Sequence, residues 1–111
     1  MHVENRPSRL HGTGVFAIDP LEKDDAQFVY GRIVRHIPGG PTERYGFDWD
    51  EAGEFVYMPY APWCYTNHSD DPNCEVGMTE DGKTLMIWVI KDILPGEELT
   101  IDYGYHPGDL P

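Results

Sequence analysis

Three short motifs carry the residues of this chain that could do chemistry. In chain order they are Gly12-Thr13-Gly14, Asn67-His68-Ser69-Asp70-Asp71-Pro72-Asn73 and Pro95-Gly96-Glu97-Glu98-Leu99-Thr100-Ile101-Asp102-Tyr103. Glycines permit positive φ and let a ligand lie directly against the backbone. In the second motif, Asn67 could anchor a ligand through its side chain, and the backbone of His68 could pair with a purine edge. In the third, Tyr103 could aim its phenol at a centre of group transfer.

Each motif also has a structural interpretation that needs no ligand. The glycine pair fits a plain turn, because the third glycine and the following helix of a dinucleotide-binding fingerprint are missing. Asn and Asp side chains stabilise turns, so the second motif fits a surface turn, and we do not assign His68 as a general base. Tyr103 fits a core tyrosine with a solvated hydroxyl. Glu97 and Glu98 point to opposite faces of a strand, which favours surface charge over a carboxylate dyad.

Short strands must position these motifs. Ten Pro and twelve Gly interrupt the chain, which leaves little room for long helices. The apolar runs between them predict strands at Gly14–Ile18, Phe28–Val34, Glu54–Met58, Cys74–Met78, Thr84–Ile90 and Glu98–Tyr103. The Asp81-Gly82 pair predicts a hairpin. We expect a loop at residues 37–50, one helical turn at 61–66 and a polar turn, with no strand, at 67–73. The pattern alone indicates an all-β sandwich or barrel-like domain.

Composition restricts the class of partner. The 111 residues fit one domain, and 20 acidic against 8 basic residues give a net charge of -12. Such a surface repels nucleic acid and anionic lipid, so we expect neither as a direct partner. It would attract a lysine-rich peptide, although the same charge also serves solubility.

The cysteines and apolar runs exclude further classes. Cys64 and Cys74 are too few for a disulfide scaffold or a four-thiolate zinc site. His68 and Cys74 would make only half of a metal site, so we assign no metal. No apolar run approaches the length of a membrane span, and the N-terminus lacks the apolar core of a signal peptide. We expect an intracellular, reduced protein, cytoplasmic or nuclear in a host cell.

In order and spacing, the three motifs resemble those of the SET domain, the fold of S-adenosylmethionine-dependent protein lysine methyltransferases. That family has a G-x-G strand, an N-H-S-x-x-P-N turn and a closing G-E-E-L-T-x-D-Y strand, and Met86–Ile93 resembles the strand before the last motif. The similarity covers about residues 8–106 and implies a single SET domain at 1–111. The implied fold is mostly β, with small curved sheets in a β-clip-like arrangement. Its C-terminal segment passes beneath a loop as a pseudoknot, bringing Asn67 and Tyr103 together.

The resemblance also implies roles for individual residues. S-adenosylmethionine would be the cofactor, with Tyr103 as the catalytic tyrosine that also contacts it. The other cofactor-binding positions would be His11, Gly12, Thr13 and Gly14 at the methionine end, Asn67 at the amino acid portion, His68 at the adenine and Tyr65 nearby. Tyr30 and Tyr105 would line the channel for the substrate lysine. Methyl transfer from a sulfonium depends mainly on positioning, and it requires no metal.

The chain departs from many family members in two ways. Asp70 stands where a zinc-binding cysteine often follows N-H-S, and six residues without a cysteine follow Tyr105. We therefore expect a minimal SET domain, similar to those of small viral and bacterial proteins. Either a second copy in a homodimer or another partner or substrate would close the channel.

The substrate would be a lysine-containing protein or peptide, for instance a basic histone-like tail. Two other functions stay open. One is a non-catalytic SET-like module that binds a basic peptide or the cofactor without turnover. The other is a structural β-domain used in assembly, which would have no affinity for the cofactor.

Overall fold

Short β-strands make up most of the regular structure. The structure is a computed structural model that describes residues 1–39, 46–50 and 52–103. Its strands are β1 (Val3–Pro7), β2 (Thr13–Ala17), β3 (Ala26–Val29), β4 (Gly31–Arg35), β5 (Phe47–Asp48), β6 (Phe55–Pro59), β7 (Asn67–His68), β8 (Cys74–Met78), β9 (Leu85–Val89) and β10 (Glu98–Ile101). A 3₁₀ turn spans Trp63–Tyr65. Within the described residues, no helix is long and apolar enough to cross a membrane.

These strands form three small sheets, rather than the two-layer sandwich or closed barrel that the pattern alone indicated. Their strand orders are β1-β2-β10-β7, β3-β9-β8 and β4-β6-β5. The mostly β prediction is confirmed. The side chains between the sheets form one core that includes Val15, Ile87, Val89, Leu99 and Ile101, each at most 1% exposed. Burying a side chain of this size contributes about 1.5–3 kcal/mol, so this core holds the small sheets together.

The last strand, β10, is the element that joins the three motifs. It lies between β2 and β7, antiparallel to the first and parallel to the second. Leu99 is paired with Val15, and Thr100 is paired with Asn67. Residues from the start, middle and end of the chain therefore meet in one sheet. The pairing of β10 with β7 agrees with the expected pseudoknot, in which the last segment is brought together with the Asn67 motif.

Two strand predictions were wrong in an instructive way. The run Phe28–Val34 is two strands, because the chain leaves one sheet after Val29 and enters another at Gly31. A Cβ at Gly31 would lie 2.3 Å from the carbonyl oxygen of Met58, so only glycine allows this approach. The prediction that 67–73 holds no strand was also wrong, because Asn67–His68 pairs with β10.

Other elements agree with the sequence or extend it. The strand at Cys74–Met78 and its hairpin partner are confirmed, with Gly82 in the turn at a φ of 68°. The helical turn expected within 61–66 is confirmed as the 3₁₀ turn. Strands β1 and β5 were not predicted. β1 is polar and pairs only at the outer edge of β2, and β5 is two residues long within the expected loop.

Candidate functional site

The side-chain amide of Asn67 is the hub of the candidate site. β7 places it beside the segment that leads into β2. Its Nδ2 lies 3.0 Å from the carbonyl oxygen of His11, 3.1 Å from that of Thr13 and 2.8 Å from Oε2 of Glu98. Asn67 is 8% exposed, so its amide needs such partners. The first and second motifs therefore touch through this one side chain.

Sequence reasoning missed Glu98, which it treated as surface charge. The carboxylate of Glu98 accepts hydrogen bonds from Nδ2 of Asn67 at 2.8 Å and from Oγ of Ser8 at 2.7 Å. Residues two apart on a strand share a face, and Thr100 is opposite Asn67. The β7–β10 pairing therefore puts Glu98 on the same side as Asn67. That pairing was the missing signal, because Asn67 was expected in a turn.

The glycine loop supplies backbone to the site in two different ways. Gly12 has a φ of 41°, and a Cβ there would meet no other atom within 4 Å. The φ of Gly14 is not positive. Glycine is needed at position 14 for lack of space, because a Cβ there would lie 2.3 Å from Oε2 of Glu98. The expectation of positive φ thus holds for Gly12 alone, and Gly12 is the glycine whose surroundings are open.

The imidazole of His68 supports the third motif. The backbone N–H of Tyr103 donates to Nδ1 of His68 at 3.0 Å, and Nε2 lies 2.8 Å from a carboxylate oxygen of Asp70. The rings of His68 and Tyr103 lie 5.2 Å apart in a tilted arrangement. With its side chain 8% exposed and both nitrogens in contacts, the His68 ring fixes the backbone that carries Tyr103.

The phenol of Tyr103 is fixed at its far end. Its hydroxyl donates to the carbonyl oxygen of Thr66, which links the 3₁₀ turn to β7. Tyr65, at the end of that turn, is 36% exposed. Because the O–H proton points to Thr66, the phenol oxygen presents acceptor lone pairs in other directions.

The structure describes one of the two residues expected in the substrate channel. Tyr30 is 61% exposed, and its described contacts include the ring of Phe28, 6.1 Å away, and the backbone N–H of Tyr60, which donates to its carbonyl at 2.8 Å. Tyr105 lies outside the described residues. The roles of both residues stay predictions.

Among the described residues, the two cysteines do not have the character of nucleophiles, and no side-chain cluster suits a metal ion. Burial raises the pKa of the Cys64 thiol, and it raises that of Cys74 to about 12. Neither thiol has the depressed pKa of a nucleophilic cysteine. Among residues 1–39, 46–50 and 52–103, no group of three His, Cys, Asp or Glu side chains could hold a metal ion.

Comparison with known proteins adds a family match. The family model described as SET domain matches residues 12–104. A histone-lysine N-methyltransferase of Schizosaccharomyces pombe, named as H3 lysine-4 specific, is 31% identical over 113 residues. That alignment covers 89% of this chain but 12% of the relative. The human histone-lysine N-methyltransferase 2B is 28% identical, with 88% and 4% covered. The chain thus spans a small part of the length of these relatives.

Solved structures show the same fold at low identity. A crystal structure of a candidate histone methyltransferase from Plasmodium falciparum superposes with a TM-score of 0.74 at 22% identity, covering 95% of this chain and 99% of that one. A humanized mutant of the Chaetomium thermophilum Polycomb Repressive Complex 2, bound to an inhibitor, gives a TM-score of 0.75 at 24% identity. It covers 93% of this chain and 15% of that one.

Proposed function

The chain belongs to the SET domain family, and we propose that it transfers methyl groups from S-adenosylmethionine to lysine side chains of a protein substrate. One observation carries the proposal. Asn67 contacts the backbone of His11 and Thr13, while its strand pairs with the strand that leads into Tyr103. The motifs that we propose for binding and for catalysis thus meet at one sheet. The relatives named as histone-lysine methyltransferases support the same activity.

The residues around Asn67 suit the amino acid portion of this cofactor. Oδ1 of Asn67 accepts no hydrogen bond from the described residues, and no fully buried side-chain polar atom there lacks a partner. This oxygen therefore reaches solvent and can accept from an ammonium group. Gly12, between the two residues whose carbonyls Asn67 contacts, has open space around it. When bound, the cofactor supplies a methyl group on a sulfonium. A nucleophile that attacks this methyl carbon in line takes the methyl group, and the neutral thioether leaves.

The backbone of His68 suits the adenine edge. Ser69 N–H donates to the carbonyl of Ile101 at 2.9 Å, and successive residues of an extended segment direct their backbone N–H groups to opposite sides. The His68 peptide N–H thus points away from β10, toward the outer edge of the sheet. This direction agrees with its expected role, and Tyr65 lies close by in the chain.

Tyr103 would act on the substrate amine. Its hydroxyl proton is committed to Thr66, so the phenol oxygen can accept an N–H and orient the nitrogen toward the methyl group. Holding the reacting groups in line is where such an enzyme gains rate. We propose Tyr30 and Tyr105 as channel residues on the family pattern.

The charge of the chain and the names of its relatives favour a basic substrate. The net charge of -12 attracts lysine-rich segments, and the relatives are named for histones. A histone-like tail and an intracellular location, cytoplasmic or nuclear, belong to this proposal. The homodimer stays a prediction, which a solution mass equal to one chain at micromolar concentration would contradict.

Transfer of labelled methyl from S-adenosylmethionine to basic proteins and peptides tests the proposal. We expect label on lysine, and a loss of about 100-fold with Tyr103→Phe while cofactor binding persists. Tyr60→Phe is the matched control, because it also removes one phenol hydroxyl, Tyr60 is 55% exposed, and its hydrogen bond to Tyr30 runs between backbone groups that the change leaves in place. Cofactor binding without transfer by the folded wild-type protein would instead favour the non-catalytic module. No cofactor binding at all would contradict the proposal.

A further inference from the structure

We propose that Glu98 is a positioning residue that orients the Asn67 amide toward the cofactor and clamps the glycine loop beside it. This inference rests on the proposed function. Glu98 joins segments far apart in the sequence, because its two carboxylate oxygens accept from Ser8 and Asn67 at 2.7 and 2.8 Å. We call these three side chains the Glu98 clasp.

The clasp determines which end of the Asn67 amide faces outward. Three oxygens surround Nδ2, those of His11, Thr13 and Glu98. A flipped amide would place Oδ1 against all three and lose every bond. Nδ2 therefore faces inward, and Oδ1 is left as the acceptor for an incoming donor. Glu98 contributes the charged acceptor, whose hydrogen bonds are stronger than those between neutral groups.

The same carboxylate fixes the loop that precedes β2. Oγ of Ser8 donates to Glu98 and also lies 3.0 Å from the backbone N–H of Leu10, while the Ser8 N–H donates to the carbonyl of Gly12 at 2.7 Å. Glu98 itself is held from behind, because Nδ2 of Asn73 donates to its carbonyl at 2.8 Å. Buried Gly14 leaves the space in which the carboxylate lies.

Glu98→Gln separates this role from general stability. The glutamine amide keeps the shape, but it is neutral, and its NH2 group must face either Ser8 or Asn67 as a donor where the carboxylate oxygens accept from both. The matched control is Glu97→Gln, because the Glu97 side chain accepts from the Leu94 N–H in a surface turn. We expect Glu98→Gln to raise the Kd for S-adenosylmethionine at least about tenfold and Glu97→Gln to leave it unchanged.

Two further readouts exclude a merely structural effect. The side-chain amide signals of Asn67 in ¹⁵N NMR spectra should shift in Glu98→Gln, with the backbone spectrum still dispersed. Binding of 5′-methylthioadenosine, which has no amino acid group, should be equal in wild type and variant by NMR titration. If Glu98→Gln does not give a dispersed spectrum, Ser8→Ala replaces it as the test variant. We expect shifted Asn67 signals and a raised Kd for S-adenosylmethionine in that variant too.

The outcomes distinguish this inference from the function on which it rests. Equal S-adenosylmethionine affinity and unchanged Asn67 signals in the variant would overturn the role of Glu98 and leave the proposed function standing. Equal losses of affinity for S-adenosylmethionine and 5′-methylthioadenosine would also overturn it. A wild-type protein that binds no S-adenosylmethionine would overturn the proposed function, while the amide signals still test the clasp.

Discussion

At the scale of single residues, the imidazole of His68 has both ring nitrogens in contacts. The N–H of Tyr103 donates to Nδ1 at 3.0 Å, and Nε2 lies 2.8 Å from a carboxylate oxygen of Asp70. A ring held in this way positions backbone and has no nitrogen to spare for proton transfer. The sequence did not favour His68 as a base, because a lone histidine is more often structural than catalytic. It could not reveal the contact between His68 and Tyr103, because these residues are far apart in the chain and meet only in the fold.

Replacing His68 tests this positioning role. His68→Leu leaves the Tyr103 N–H, whose hydrogen bond to His68 is partly buried, without that acceptor, and it should lower the free energy of unfolding by about 1–3 kcal/mol. In His68→Asn, Oδ1 takes nearly the place of Nδ1, so we expect a smaller loss and more residual methyl transfer. Urea unfolding and methyl-transfer rates measure both variants. Equal losses in the two would contradict the assigned hydrogen bond.

At the scale of elements, β10 pairs with the regular strand β2 but also depends on partners that are not regular strands. Asn73 uses both ends of its side-chain amide on β10, accepting from the Thr100 N–H and donating to the Glu98 carbonyl, each at 2.8 Å. Apolar alternation predicted that Glu98–Ile101 is a strand. It did not reveal that Asn67–His68 pairs with this strand or that the Asn73 side chain also bonds its backbone. Two-residue strands have no periodicity, so long-range burial sets their pairing.

The break between β3 and β4 gives a prediction at this scale. In Gly31→Ala, the new Cβ would lie 2.3 Å from the Met58 carbonyl oxygen, a backbone atom. We expect a loss of about 1–3 kcal/mol in the free energy of unfolding, because β4 and β6 must separate. Gly77→Ala is the control, since its Cβ would meet only ring atoms of Trp88 at 3.1 and 3.3 Å. A loss in the control as large as that in Gly31→Ala, measured in urea, would show that backbone contact is not the cause.

At the scale of the whole molecule, the core buries an ionisable thiol and the chain carries a large negative charge. The family resemblance named the fold and the expected site residues, while composition supplied the charge of -12. The buried environment of Cys74, 0% exposed between the sheets, follows only from the packing. The buried thiol predicts how stability depends on pH, and the charge predicts how methyl transfer depends on salt.

The raised pKa of Cys74 predicts a loss of stability in alkali. Its pKa rises from 9.0 to about 12 in the folded state through burial. Between these values the unfolded thiol loses its proton and the folded one does not, so rising pH favours unfolding. The expected slope from this group is about 1.4 kcal/mol per pH unit. Cys74→Val lacks the group, so the difference between the two pH profiles isolates it from Tyr57, whose pKa is also raised. Parallel profiles above pH 9 would contradict the prediction.

The acidic surface predicts that methylation of a basic peptide weakens with salt. Attraction between a chain of charge -12 and a lysine-rich peptide acts over the Debye length, about 10 Å at 0.1 M and 3 Å at 1 M salt. Raising NaCl across this range should therefore lower kcat/KM by about tenfold or more through slower association. A peptide with the same target lysine but with glutamine at its other basic positions should show little change. If both peptides respond alike, salt acts on the enzyme itself, and the surface charge selects no substrate.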